Sequence, residues 1–335
     1  MTTKLSSADR KLFRGTAAEV HDWMSTDDIL SAIGCNFRVT RHSAQVGGRS
    51  YDDCQLWLRD DTNDLLGYFG NRRQPIQPAT FIDYFRAFTT ASEKQISLDV
   101  VGSLDQGKTF YMASKLSGDN ARLLDANLGG EYGTGGGLGI SRRGHDNYLA
   151  AEDRTDFWLV ITDYYGESLS PKAIILGNEL ICSNGLAVKV TDQSVKLNHC
   201  LAQSYDDVAS VLQAAIARSK AYSRMKDRLI ETPISMDTAR SALRQFFQDP
   251  DGATNTVKKL EGIYSSTLIG GDLETRQDNL WRLASAVTQY TSHERASNPE
   301  RTLRSQLEGS RARTNARFLD FLESQFLPNA ELAIA

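Results

Sequence analysis

The sequence lacks the features that place a chain in a membrane or in an oxidising compartment. It contains no run of 18 apolar residues, so we expect no membrane-spanning helix. The first fifteen residues, MTTKLSSADRKLFRG, contain no apolar stretch of the kind found in signal peptides. Its four cysteines lie far apart and form no CxxC pair, which is typical of reduced thiols. We therefore expect a cytoplasmic protein.

The chain also has no large excess of positive or negative charge. The net charge is −4, so the strongly basic footprint of many nucleic-acid-binding proteins is absent. Binding to nucleic acid is not excluded, because the distribution of charge matters more than its sum. Between Glu300 and Arg317 the chain carries five arginines against two acidic residues. The late part of the chain is therefore locally basic.

Motifs for metal, nucleotide and covalent chemistry are missing. None of the five histidines has HExxH, HxH or zinc-finger spacing, so we expect no metal and no cofactor. The stretch Gly133–Gly139 has no following Gly-Lys-Ser/Thr, and no clear strand precedes it as a Rossmann fingerprint requires. A Cys182–His199 nucleophile and base would lack an orienting motif. We expect no catalytic residue and interpret the chain as a non-enzymatic binding protein.

Clusters of aspartates leave one enzymatic alternative open. Asp60, Asp61 and Asp64 lie between two apolar runs, where turn chemistry explains them. Asp52-Asp53 and Asp206-Asp207 flank a predicted strand and a predicted helix start. The alternative is a Mg²⁺ site for a nuclease or hydrolase.

Hydrophobic periodicity predicts an α+β fold. Strand-like runs at Phe37–Thr40, Gln55–Arg59 and Leu65–Phe69 are followed by a helix that Pro78 begins, over Ala79–Thr89. A second hairpin pairs Gln95–Ser103 with Thr109–Lys115. The sequence therefore predicts a β-hairpin–helix–β-hairpin core.

The remainder of the chain contains a strand, a mixed segment and a helical region. Asp156–Tyr164 is a strongly apolar predicted strand, and Ile174–Val190 is expected to be a small helix or a strand followed by a helix. After Tyr205, stripes of apolar residues predict helices to the end of the chain. We divide the chain into an N-terminal lead-in (residues 1–35), an α+β core (36–202) and a helical region (203–335).

Arginines and aromatic residues cluster on the first predicted sheet. Cations that follow a phosphate backbone, beside aromatic rings that stack on bases, are what binding of single-stranded nucleic acid requires. The glycine-rich loop 128–144 ends in two further arginines, and a loop of that length is expected to be functional or mobile. The alternative is that the rings belong to the core, the arginines are solvated and the loop is a surface connection. The candidate nucleic-acid-binding residues are Arg38, Arg41, Arg72, Arg73, Lys115, Arg142, Arg143, Tyr68 and Phe69.

Several short segments resemble one family of phage- and plasmid-like proteins that is known only as a domain of unknown function. The segments are LGYFGNRRQPIQPATFIDYF, ILGNELICSNGLAV, KLNH and DNLWRLASAVTQYTSHER, spread over residues 36–323. The chain departs from the pattern at Gln74, at Gly185 and in the glycine-rich insertion. The matching residues are Leu66, Gly67, Gly70, Cys182, Asn184, Leu186, His199, Asn279, Trp281, Ala286, Val287, Thr288, Tyr290 and His293.

The resemblance implies a role in phage or plasmid replication and recombination. The predicted core also looks like that of single-strand annealing recombinases of the RecT, Redβ and Erf type, which use neither a nucleotide nor a metal. We therefore expect a single-stranded DNA binding and annealing protein that forms a homo-oligomeric ring or filament. Its further partner would be a phage or host replication protein, and its location the host cytoplasm if a phage encodes it. A third hypothesis is a protein-binding role, such as disabling a host defence system.

Overall fold

Two antiparallel sheets and a set of helices make up the fold. The computed structural model describes the following parts of the chain: Leu5, Arg10 and residues 12–21, 23–72, 74–91, 96–116, 155–165, 172–179, 186–189, 195–196, 205–266, 277–294, 298–307 and 309–327. The strands are β1 (Ala17–Glu19), β2 (Val39–Val46), β3 (Arg49–Arg59), β4 (Leu65–Gly70), β5 (Val100–Leu104), β6 (Thr109–Lys115), β7 (Thr155–Tyr164), β8 (Lys172–Glu179), β9 (Leu186–Lys189) and β10 (Val195–Lys196). The helices are α1 (Thr26–Ala32), α2 (Pro78–Ala91), α3 (Tyr205–Glu231), α4 (Met236–Phe246), α5 (Asn255–Ser265), α6 (Leu280–Gln289), α7 (Pro299–Leu307) and α8 (Ser310–Phe326).

The large sheet has the strand order β1-β5-β6-β7-β8-β10, and β9 also pairs with β8. Its central strand β7 is apolar without alternation because both of its faces are buried. Phe157 and Ile161 face a core shared with α2, α3 and the later helices, whereas Trp158 and Val160 face a second core. The second core is closed by the N-terminal segment and by α7. The large sheet is thus covered on both faces.

The small sheet is the meander β2-β3-β4. Its strands pair antiparallel, with an irregularity between Ser43 and Ala44 and a bulge between Trp57 and Leu58. Val39, Trp57 and Phe69 are buried and face the first core. The sheet therefore presents one face to the interior and the other to solvent.

The α+β class is observed, but a single hairpin–helix–hairpin core is not confirmed. The strands before α2 form the small sheet, whereas β5 and β6 belong to the large sheet and pair there with β1 and β7. The lead-in thus contributes β1 to the large sheet. Ile174–Val190 was expected to be a small helix or a strand followed by a helix. Its described residues belong to β8 and β9, because pairing with β7 buries apolar residues on both faces of β8, and residues 180–185 lie outside the described residues. Residues 128–144 lie outside the described residues.

A buried arginine joins the small sheet to its surroundings. The Arg59 guanidinium donates to both carboxylate oxygens of Asp61 at 2.9 and 2.7 Å and to the carbonyl oxygen of Gln106 at 2.9 Å. It also donates to the Gly34 carbonyl oxygen at 3.3 Å and lies 4.1 Å from the centroid of the Phe37 ring. These contacts fix β3 against α1 and against the turn between β5 and β6.

The two sheets also approach each other at Gly67 and Tyr165. A Cβ atom at position 67 would collide with the Tyr165 carbonyl oxygen. The Tyr165 N–H donates to the Lys108 carbonyl oxygen at 2.7 Å, and its hydroxyl donates to the carbonyl oxygen of Ile76. Burial raises the pKa of the Tyr165 hydroxyl well above its usual value. The end of β7 is therefore tied to β4 and to the β5–β6 turn.

The later helices begin at polar caps and pack on the first core. Ser235, Thr254 and Asn279 cap α4, α5 and α6 through their side-chain oxygens. Helix α6 continues into a π-helical turn over Tyr290–Glu294. Among the described residues, no helix is long and apolar enough to cross a membrane.

Candidate functional site

The outer face of the small sheet carries a row of side chains across three strands. His42 pairs with Leu56, and Leu56 pairs with Tyr68, so the three lie side by side. Because side chains alternate along a strand, this row faces away from Trp57 and the core. His42 is exposed and Leu56 is half-buried. The outer face is therefore partly apolar and open to solvent.

Tyr68 is the most exposed residue of this row. It is 71% exposed, although its neighbours Gly67 and Phe69 are both buried. Leu65, which pairs with Leu58 in the next row, is 44% exposed. A large aromatic ring held by a strand and open on its outer face is suited to stacking on a flat ligand.

A cleft of about 210 Å³ lies directly beside Tyr68. It is formed by β4, by the first residues of β6, by the end of β7 and by α7. Its walls are mostly apolar, and its two cations come from residues distant in sequence from the small sheet. The lining residues are Leu65, Leu66, Gly67, Tyr68, Lys108, Thr109, Tyr164 and Arg304.

Arg304 is held in place by neighbours on the large sheet. Its Nη1 donates to the Asp105 carboxylate at 2.9 Å, and its guanidinium lies 5.8 Å from the centroid of the Tyr164 ring. The Asp105 N–H donates in turn to the Glu300 carboxylate at 2.8 Å. The hydrogen bond to Asp105 thus orients the guanidinium. The group lies at the wall of the cleft in a defined position, which lowers the entropy that a ligand contact would cost.

Arg38, Arg41 and Arg72 lie around the small sheet. Arg38 and Arg72 are exposed. The Arg41 guanidinium donates to the Gln74 side chain at 2.8 Å and to the Asn71 carbonyl oxygen at 2.7 Å. Arg41 therefore holds the segment that contains Arg72 against β2. Because it pairs with Trp57, its side chain leaves the sheet on the face opposite Tyr68.

Two other predicted residues lie away from the outer face. Phe69 is 9% exposed, and its ring centroid lies 3.9 Å from that of Trp57, so it belongs to the core. The Lys115 ammonium lies 5.6 Å from the centroid of the Trp158 ring on the large sheet. Lys115 is six residues along β6 from Thr109, which corresponds to roughly 20 Å of extended strand. Neither side chain lines the cleft.

The remaining candidates fall in the part of the chain that the structure does not describe. Arg73, Arg142 and Arg143 lie outside the described residues, as do Cys182 and His199. The site of the described chain is therefore built from Tyr68, Lys108 and Arg304, with Arg38 just before β2 and Arg72 just after β4.

The acidic turn after β3 has structural partners. The Asp60 carboxylate accepts from the Arg38 backbone N–H at 2.8 Å, and Asp61 accepts from Arg59. The hydrogen bonds from Arg59 lower the pKa of Asp61 below its usual range. Across the described ranges, no group of three or more His, Cys, Asp or Glu side chains is arranged to hold a metal ion.

Lys108, Tyr164 and Arg304 were missed as members of this site. The excess of arginines at residues 300–317 was a signal for Arg304, but the sequence does not show which strand α7 contacts. Lys108 follows the predicted Asp105–Gly107 turn. A single lysine after a turn belongs to no motif, so it does not indicate a binding site. These residues meet Tyr68 only through the tertiary fold.

A comparison with family models identifies the relatives of this chain. The model of a domain of unknown function, DUF932, matches residues 65–318, from β4 to α8. The chain belongs to the DUF932 family. The match includes every residue that lines the cleft. No curated protein and no solved structure is detectably similar to this DUF932 chain.

Proposed function

We propose that this DUF932 protein binds single-stranded DNA on the outer face of the small sheet and in the adjoining cleft, without catalysing a reaction. Tyr68 stacks on a base, and Lys108 and Arg304 contact the neighbouring phosphates. Arg38 and Arg72 extend the phosphate contacts along the sheet. The observation that carries the proposal is the exposed Tyr68 ring, which borders a cleft with two cations in its walls.

The chemistry of single strands supports this assignment. A base whose partner strand is absent exposes an aromatic face, and stacking on a protein ring contributes about 1–3 kcal/mol per base. Lysine and arginine add affinity by releasing counterions from the phosphate backbone, so this part of the binding weakens as salt is added. A mostly apolar cleft favours the base, whereas its two cations favour the backbone.

A narrower form of the proposal includes annealing and self-association. By sequence resemblance to phage- and plasmid-like proteins, the chain would act in a recombination and replication module. It would hold two strands on a homo-oligomeric ring or filament, as RecT, Redβ and Erf proteins do, and would contact a phage or host replication protein. Strand pairing would then supply the free energy of annealing.

Fluorescence anisotropy with a labelled oligo-dT tests binding. The wild type is expected to bind at micromolar concentration, with an affinity that falls as salt increases. Tyr68→Ala should weaken binding about 10-fold, because it removes the stacking ring. Trp23→Ala is the matched control, since Trp23 is 76% exposed and does not line the cleft. Equal losses in the two variants, or no salt-sensitive binding, would refute the proposal.

The same oligonucleotide distinguishes the nuclease alternative. Incubation with Mg²⁺ followed by denaturing electrophoresis should leave the DNA intact. Cleavage that Asp60→Asn and Asp61→Asn abolish would replace the binding proposal with the enzymatic one.

A further inference from the structure

The tip of the hairpin formed by β2 and β3 extends beyond the rest of the small sheet. Strand β4 pairs with β3 only from Cys54 onward, so within the described chain residues 43–53 form a ribbon of two strands without a third. We call this ribbon the arm. All of its residues except Ala44 are exposed. Because an isolated two-stranded hairpin is marginally stable in water, contact with a further surface would stabilise the arm.

One face of the arm is largely apolar. Ala44 pairs with Tyr51, and Val46 pairs with Arg49, so these two pairs of side chains lie on the same face. The glutamine–serine pair between them lies on the opposite face. Val46 is 68% exposed and Tyr51 is 47% exposed. Such an apolar face is unfavourable in contact with water, and exposed apolar patches mark interaction surfaces.

The apolar face of the arm continues the outer face of the small sheet. Along β2, His42, Ala44 and Val46 lie on the same side, because side chains alternate along a strand. With the exception of Trp23, the large hydrophobic side chains that are exposed in the described chain all belong to this sheet. They are Val46, Tyr51, Leu65 and Tyr68. The exposed apolar surface is therefore concentrated on the small sheet and extends to the end of the arm.

Charges of both signs lie at different positions along the arm. Arg49 is beside the turn, whereas Asp52 and Asp53 follow Tyr51 in an irregular stretch of β3. All three charged residues are exposed, and within the described chain none of them forms an ion pair. Asp52 accepts a hydrogen bond from the hydroxyl of Ser50 at 3.3 Å. Two arms packed antiparallel bring the arginine of each one toward the aspartates of the other, so the arm is complementary to itself in charge.

We infer that the arm is a self-association surface and that its partner is the arm of a second copy of this chain. Packing the two apolar faces together about a twofold axis covers Val46 and Tyr51 in both copies. Each contact is then made twice, and so is the pairing of opposite charges. Two unsupported hairpins become one unit of four strands in two layers. The inference rests on the proposed self-association and not on DNA binding.

The arm is separate from the proposed DNA site. Tyr68 lies on β4, which ends at Gly70 opposite Cys54 and does not extend along the arm. Two associated copies therefore carry two Tyr68 rings, one for each strand that an annealing protein holds. The arm also precedes residue 65, where the DUF932 match begins, so the inference concerns this chain and not the whole family.

Sedimentation equilibrium of the full chain without DNA, over the micromolar concentration range, tests the contact. The arm is smaller than the roughly 20–30 residues a side of a standard interface, so we expect a reversible dimer with a dissociation constant above about 1 µM. Tyr51→Ala should weaken dimerisation at least about 10-fold, because it removes the central aromatic ring of the contact. Trp23→Ala is the matched control, since Trp23 is exposed but lies outside the arm. A wild type that remains monomeric, or equal losses in the two variants, would overturn the inference.

Charge reversal tests the twofold pairing itself. Arg49→Asp makes the charges of the arm all negative, and the double variant Asp52→Arg, Asp53→Arg makes them all positive. Each variant alone should dimerise more weakly than the wild type, because like charges meet in its dimer. An equimolar mixture of the two should regain wild-type dimerisation, because opposite charges meet at both ends of the contact. A mixture that associates no better than its components contradicts the pairing, and this test remains available should Tyr51→Ala fail to fold.

Hydrogen exchange distinguishes a second copy from DNA as the partner of the arm. Exchange of the amides in residues 43–53 should slow as the protein concentration rises, and oligo-dT at a fixed protein concentration should leave it unchanged. Slowing that oligo-dT induces in a monomeric protein would assign the arm to the DNA site and overturn the inference. Tyr68→Ala should keep wild-type dimerisation, and Tyr51→Ala should keep oligo-dT binding. Failure of DNA binding and failure of self-association are therefore separate results.

Discussion

The carbonyl oxygen of Tyr165 lies so close to the Cα atom of Gly67 that no side chain fits at position 67. This approach brings the end of β7 against β4, where Gly67 and Tyr164 line the cleft beside Tyr68. The backbone of Gly67 is ordinary for a strand, so it is space, and not conformation, that requires glycine here.

Gly67→Ala should therefore destabilise the fold by about 1–3 kcal/mol, the usual cost of overpacking. Urea unfolding followed by circular dichroism measures the change. Gly70→Ala, on the same strand, is the matched control, because a Cβ atom at position 70 would meet no other atom within 4 Å. A similar loss in both variants would mean that strand propensity, and not the contact with Tyr165, determines the effect.

Arg304→Gln should weaken oligo-dT binding and reduce the slope of log affinity against log salt by about 0.7, the value for one phosphate contact on a single strand. The physical reason is the loss of one cation from the wall of the cleft. Anisotropy titrations at several salt concentrations give the slope. Arg301→Gln is the control, because Arg301 is exposed on the same helix and does not line the cleft. An equal change in slope for both variants would show that only the net charge of α7 matters.

His293 should make stability depend on pH. Its folded-state pKa lies below the ordinary value of 6.5, so the unfolded chain binds the proton more tightly than the folded one. Stability is therefore at its full value above pH 6.5 and falls as pH decreases through 6.5 toward the folded-state pKa. Burial, and then the charge of Arg14, oppose protonation of His293, whereas Glu294, which forms an ion pair with Lys259, favours it.

The urea midpoint of the wild type should accordingly fall between pH 8 and pH 5.5 by more than that of His293→Gln. Parallel pH profiles for the two proteins would contradict the assignment to His293.

Elements with a visible period were predicted from the sequence, and so was β7, from its continuous apolar run. From Gly67 to Gly70, β4 alternates buried and exposed residues, and α2 has apolar residues on one helical face, so both periods are visible. In β8 both faces are buried, which removes the alternation, so the run Ile174–Val190 was left open between a helix and a strand followed by a helix. The division of the strands between two sheets depends on long-range pairing, which has no local signal.

The same reasoning applies to the site. Tyr68 and Phe69 were both proposed to stack on bases, although adjacent residues of one strand face opposite sides of the sheet. The alternation of side chains along a strand therefore allows only one of the two rings to lie on the outer face. Which one faces solvent depends on the contact of Phe69 with Trp57, and the position of Arg304 in the cleft depends on the docking of α7. Neither fact is contained in local sequence.

The cleft joins Tyr68 to Arg304, residues from opposite ends of the matched family segment. During synthesis on the ribosome, the small sheet emerges long before α7. A nascent chain can therefore expose the Tyr68 ring early but cannot complete the cleft until α7 has been translated and has docked. Occupancy of the proposed DNA site would thus report that α7 has docked, and shorter nascent chains would lack part of that site.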